Sequence, residues 1–136
     1  MRLPDWEDRL NALIEERERE PFRWGSHDCA LWGADVVLAL TGIDHGAAFR
    51  GKYDDREGAA AALREFGAGT VVRTFDAHLD RVLKPFAGRG DLARIRRSPE
   101  APLASLGVVI GSDALCPGDM GLVRIPRARW TVCWRV

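Results

Sequence analysis

The chain has 136 residues, 46% of them hydrophobic, and its 20 Lys plus Arg balance 20 Asp plus Glu, for a net charge of zero. That length and composition fit one globular domain over residues 1–136, and the charge balance argues against a nucleic-acid binder, whose affinity rests on surplus positive charge. No apolar run reaches the ~18 residues of a membrane-spanning helix, and "MRLPDWEDRL" carries acids where a secretory signal has an apolar stretch, so synthesis in the cytoplasm without export by that route is expected.

The first predicted element is an amphipathic helix over "PDWEDRLNALIEERERE". Trp6, Leu10, Leu13 and Ile14 form one apolar stripe, Asp5 is placed to cap it, and Pro21 stops it. A second helix, "DCALWGADVVLALTG", is apolar almost all round and belongs in the middle of the fold. Asp28 or Ser26 suits its N-cap and Gly42 its end, while Gly33 in its middle predicts close approach by another element. "GIDHGAAFRGKYDD" reads as a loop and "DREGAAAALREFG" as a third helix ended by Gly67. "TFDAHLDRVL" reads as a short fourth helix with Phe75, Leu79, Val82 and Leu83 on one side.

Beyond Gly90 the character changes. "GDLARIR", "LASLGVVIG", "GLVRIP" and "RWTVCWRV" are short β-rich runs, and "SPEAP" and "SDALCPGD" read as turns between them. Leu92, Arg94 and Arg96 alternate with Ala93 and Ile95 as in a half-exposed strand. With no helices between the runs, an antiparallel meander is expected. Helices first and strands later predict an α+β fold with the helices packed on one sheet.

Three cysteines, Cys29, Cys116 and Cys133, lie far apart. They make neither a disulfide framework nor a zinc ribbon, so reduced thiols are expected. Cys116 and Cys133 have apolar neighbours and read as small core residues. His27 and Cys29 are one residue apart, which is no structural metal spacing, and no metal or cofactor is expected. Trp24, Trp32, Trp130 and Trp134 can be read as a sugar platform, but core or interface positions are the expectation. Trp130 and Trp134 share strand parity with Val132 and are expected on one face. Arg94, Arg96, Arg97, Arg127, Arg129 and Arg135 make the strand half locally basic, read first as a solvated face and second as a surface for an acidic partner.

Cys29 stands where a polar loop becomes a helix. "FRWGSHDCALWGADVV" resembles the nucleophile segment of papain-like cell-wall peptidases of the NlpC type. There an aromatic–Gly pair precedes Asp–Cys at the head of a buried central helix. "GRGDLARI" resembles the family's Gly-Asp strand opening, and "LGVVIG" the next strand, which in active members begins with the catalytic His. "FRGKY" and "RWTVCWRV" resemble features of a short, phage-associated branch encoded among tail genes. The resemblance implies a papain-like α+β domain with Cys29 as nucleophile, peptidoglycan as the substrate of active relatives, and tail-tip or baseplate proteins as partners.

The physics of the position agrees in part. A helix N-terminus offers free N–H groups and positive dipole, which lower a thiol pKa and can hold an oxyanion. Asp28 reads as a cap rather than a catalytic acid. A Cys hydrolase also needs an imidazole within hydrogen-bond reach. The position matching the family's His is Ser105, and no histidine follows His78. His27, two residues before Cys29, is the one candidate base with a local argument. His45 lies past the far end of the helix and would have to fold back, and His78 sits in the weak fourth helix. Two functions follow as expectations. The first is a tail-associated protein of phage, prophage or gene-transfer-particle type, with a degenerate peptidase fold and a structural or assembly role. The alternative is an active cysteine peptidase or amidase with an unusual base; a thiol acyltransferase would need that base too.

Overall fold

The computed structural model describes residues 1–136. Helix α1, Trp6–Arg17, buries Leu10 and lays Trp6, Leu13 and Ile14 against the core. Asp5 does not cap it: its carboxylate accepts from Arg9 Nε at 2.8 Å, one turn on. The helix ends at Arg17 rather than running to Pro21, because the Glu18 carbonyl is taken by the N–H of Leu122 at 3.0 Å. Helix α2, Cys29–Thr41, is the central element, with nine of its 13 residues buried. Asp28 is its cap, accepting from Leu31 N, and Gly42 closes it in the left-handed region at φ 80°. The close approach expected at Gly33 is present. A Cβ there would stand 2.7 Å from Leu106 Cδ2 and 2.9 Å from Phe75 Cζ.

Helix α3, Arg56–Phe66, is capped by Asp55 and ends at Gly67 as expected. Helix α4, Val71–Asp76, lies earlier than the sequence pattern suggests. The Thr70 side chain accepts from Arg73 N and starts it there. His78 and Leu79 fall outside it, and Arg81–Val82 form the edge strand β1 instead of a helical turn.

Five further strands follow: β2 Leu92–Ile95, β3 Leu106–Val109, β4 Asp113–Gly118, β5 Gly121–Pro126 and β6 Trp130–Trp134. They form one antiparallel sheet in the order β1-β6-β2-β3-β4-β5. The fold is therefore α+β. The meander holds from β2 to β5, but β6 returns to lie beside β2 and breaks it. "SDALCPGD" is not a turn. It contains the whole of β4, whose six residues each pair with β5, and the turn shrinks to Asp119–Met120. Pro117 is tolerated because β3 pairs with β4 only at Ala114 and Leu115, so β4 has no partner strand on that side at Pro117.

The sheet is buried on both faces. Leu92, Leu106, Val108, Leu115 and Trp134 join α1, α2 and α4 in one core. Ala93, Ile95, Val109, Ala114, Ile125 and Trp130, with the thiols of Cys116 and Cys133, form a second core on the opposite face. Strand β2 is thus covered on both sides rather than half-exposed, with only Arg94 partly open. Trp130 and Trp134, expected together, lie in different cores. The cause is a bulge. Ala93 pairs with Cys133 but Ile95 pairs with Trp130, so β6 spends three steps against two of β2. One extra residue reverses the facing of every position beyond it. No helix is long and apolar enough to cross a membrane.

Gly33→Val tests the seat of α2. The added methyl groups must displace buried Leu106 and Phe75, and the cost is expected at about 1–3 kcal/mol despite the better helix propensity, read as a lowered midpoint in urea at unchanged slope.

Candidate functional site

The loop before α2 is built tightly. The Phe22 N–H donates to Gly118 O at 2.8 Å, and Arg23 and His27 exchange backbone hydrogen bonds across a short bridge. Gly25, at the turn, has φ 83°, and a Cβ there would overlap the Tyr53 carbonyl oxygen, so only glycine fits. The Asp28 carboxylate lies at the centre. Oδ1 accepts from Leu31 N at 2.9 Å; Oδ2 accepts from Gly25 N at 2.9 Å and from the Tyr53 hydroxyl at 2.5 Å. Burial and the donation to Asp28 raise the Tyr53 pKa, so the phenol stays protonated.

Cys29 is the first residue of α2 and is 5% exposed. Its Sγ donates to the Leu103 carbonyl at 3.1 Å and accepts from the Ser105 N–H at 3.4 Å. Burial pushes the thiol pKa up, hydrogen bonds from Ser105 oppose that, and the neighbouring Asp28 charge adds to it. Ser105 directly precedes β3, and its carbonyl accepts from Ile95 N at 2.9 Å and from Arg94 Nη1 at 2.6 Å. The structure thus brings Cys29 and Ser105 together.

It does not bring His27 to the sulfur. The bridge with Arg23 directs the ring to the α1–α2 side, where it is fully buried. There Nδ1 lies 3.2 Å from Arg17 Nη1, the ring meets Trp32 edge-on at 5.8 Å, and Nε2 has no partner. A guanidinium can only donate, so Nδ1 accepts and Nε2 carries the hydrogen. Burial pushes the His27 pKa down. Glu20, Asp35 and Asp28 raise it, and the Arg17 charge lowers it. His27 directly precedes the cap, and its ring partners are Arg17 and Trp32 rather than the sulfur.

Two residues that the sequence pattern left aside complete the surroundings. Asp35, in the buried helix, is bracketed by Arg17 at 2.9 Å and Arg50 at 2.7 Å, and Arg50 also holds Asp44. Tyr53, within the quoted "FRGKY", locks the cap. Asp35 left a signal, a lone carboxylate on an otherwise apolar helix.

Cys29 lies on the wall of a cavity of about 690 Å³ bounded by α2, α3, α4 and the segment before β3. His45 folds back to it: the loop after α2 turns at Gly46 against Leu31 and Ala34, and His45 stacks on His78 at 4.1 Å. Neither ring is hydrogen-bonded to the sulfur. Trp24 stands on the cavity wall against Phe22, while Trp32 is core, its Nε1 donating to Leu115 O at 2.9 Å. No three His, Cys, Asp or Glu side chains gather as ligands for a metal ion.

Chemically, the site holds a protonated thiol aimed at a carbonyl, with no imidazole to take its proton. A family model described as a domain of unknown function (DUF6950) matches residues 1–136. No curated protein and no solved structure matches the chain.

The His27 environment predicts a pH dependence. Its folded pKa lies below the unfolded value of about 6.5, so the unfolded chain binds more protons between the two values and stability rises with pH there. Stability is expected to be full above that value and to fall as pH drops through the depressed one. In urea unfolding at pH 7.5 and 5.5, the midpoint should fall, and His27→Asn, which keeps an acceptor for Arg17, should shrink the fall. The remainder comes from His45, depressed by burial and by the His78 charge.

Proposed function

We propose, for a chain that belongs to the family described as a domain of unknown function (DUF6950), that the domain is a disarmed cell-wall peptidase of papain-like, NlpC-type fold. In this reading it serves a structural or assembly role at the tail tip of a phage, prophage or gene-transfer particle. Support for the fold comes from the order of elements: a first helix, a central helix headed by Cys29, two more helices, then an antiparallel sheet. Ser105, just before β3, donates its N–H to the sulfur, and this is the position where the resemblance puts the catalytic His. The tail setting rests on the resemblance of "FRGKY" and "RWTVCWRV".

The observation that carries the loss of activity is the set of partners around Cys29 Sγ: the Leu103 carbonyl and Ser105. Nucleophilic attack needs a thiolate, and departure of an amine needs a proton donor. A carbonyl accepts the thiol hydrogen without removing it. Burial, which raises the thiol pKa, works in the same direction. The alternative, an active peptidase or amidase on Cys29, would need a base from elsewhere. His45 and His78, on the same cavity wall, are the imidazoles nearest that role.

The test is the alkylation rate of Cys29 against pH, with Cys116 and Cys133 changed to Ala. The rate is expected to inflect no lower than a free thiol, about 8.5, and to be unaltered by His27→Ala; purified peptidoglycan should release no soluble fragments. Ser105→His should bring an imidazole to the sulfur, lower the inflection and speed alkylation at pH 7. An inflection well below 8.5 in the unaltered site, lost with His45→Ala or His78→Ala and accompanied by peptidoglycan cleavage, would establish the active reading instead.

A further inference from the structure

Three guanidiniums line the cavity, from Arg56, Arg94 and Arg97, and none of them pairs with a carboxylate of the chain. Arg2, Arg17, Arg50 and Arg81, by contrast, are each matched to an aspartate. Arg94 is the informative one, because it is half-buried and its only fixed partner is the neutral Ser105 carbonyl. A guanidinium carries five donors, so most of its capacity is unspent. The only acid on the wall is Asp28, and both its oxygens are already occupied. The head of α2 adds positive potential on the same side.

Away from these cations the wall is mainly apolar, with Leu31 and Ala34 of α2, Leu63 of α3, Phe49, Val71 and Phe75, and the stacked rings of His45 and His78 beside them. Three of its four hydroxyls, all but that of Ser105, are spent inside the protein. Thr74 Oγ1 donates to Thr70 O and accepts from Ala68 N, Ser98 donates to Glu100, and Tyr53 donates to Asp28. A peptide laid along the stretch formed by Leu31, Ala34, Leu63 and Phe75 would bury N–H and C=O groups against apolar side chains, at a cost an alkyl chain does not meet. The volume is that of a small-molecule site.

We propose that this cavity binds an acyl chain ending in a carboxylate, with the chain along Leu31, Ala34 and Phe75 and the carboxylate at Arg94 and Arg97. The proposal goes beyond the disarmed-peptidase reading. It rests on the cavity's lining and holds whether or not Cys29 reacts.

The test is calorimetric titration of the full chain with decanoate, decanol and decyltrimethylammonium below their micelle concentrations. Backbone amide NMR shifts locate each ligand. Decanoate is expected to bind once per chain, at least about tenfold more tightly than decanol, as charge-assisted hydrogen bonds provide, and the cation most weakly. Arg94→Gln with Arg97→Gln should remove the preference for decanoate while leaving decanol binding in place. Ala60→Trp, which fills the apolar part from α3, should weaken both, with circular dichroism verifying the fold. Binding that is not saturable, equal affinity for decanoate and decanol, or a preference surviving the double Arg variant would overturn the proposal. So would tighter binding of a short apolar peptide with a free C-terminal carboxylate. The Cys29 alkylation profile is read separately and fails or stands on its own.

Discussion

The buried carboxylate of Asp28 ties the turn before α2 and the head of α2 to the loop that follows the helix. It receives the N–H of Leu31, which starts α2. It receives the N–H of Gly25, which closes the turn before α2, and the hydroxyl of Tyr53 from the loop after it. A buried charge survives only when its lone pairs are occupied, so each donor is needed for the others to persist. The position of Cys29 follows, because the first residue of a helix is placed by its cap. The direction of His27 follows too, since the same turn carries its ring to the far side.

Asp35 and Asp91 work in the same way elsewhere. Asp35 ties α1 to α2 through Arg17 and draws in the loop after α2 through Arg50. Asp91, at the entry to β2, accepts from Arg2, Gly88 N and Val136 N and so gathers residues from both ends of the chain. These three aspartates and His27 are the buried polar side chains of the fold. Each aspartate is satisfied; His27 is left with Nε2 unpaired. A buried polar group without a partner costs free energy, and here the cost falls beside the site rather than in the sheet.

The site has the layout of a thiol centre and the electrostatics of a binding pocket. Sulfur, helix head and a nearby N–H are present, which is what an oxyanion requires. The proton acceptor is missing at the sulfur, and the cations on the wall have no counter-charge within the chain. Unpaired cations of this kind make a positive potential on the cavity wall.

Much of this was legible in the residues. Periodicity marks α1, α2 and α3, Asp28 and Gly42 mark the ends of α2, and Gly33 marks a contact, because these depend on local geometry within a few residues. The neighbourhood of Cys29 and Ser105 was legible only through the resemblance, since 76 positions separate them. Three features were decided by tertiary structure alone. A bulge in β6 sent Trp130 and Trp134 to opposite cores, and sequence parity cannot register an extra residue whose partner strand is unknown. Strand β4 formed from a stretch rich in turn residues, because pairing with β5 outweighs weak propensity. His27, two residues before Cys29, turns its ring to Arg17 and Trp32, while Ser105 touches the sulfur: closeness along the chain constrains position, but the direction of a side chain is set by what the rest of the fold packs around it.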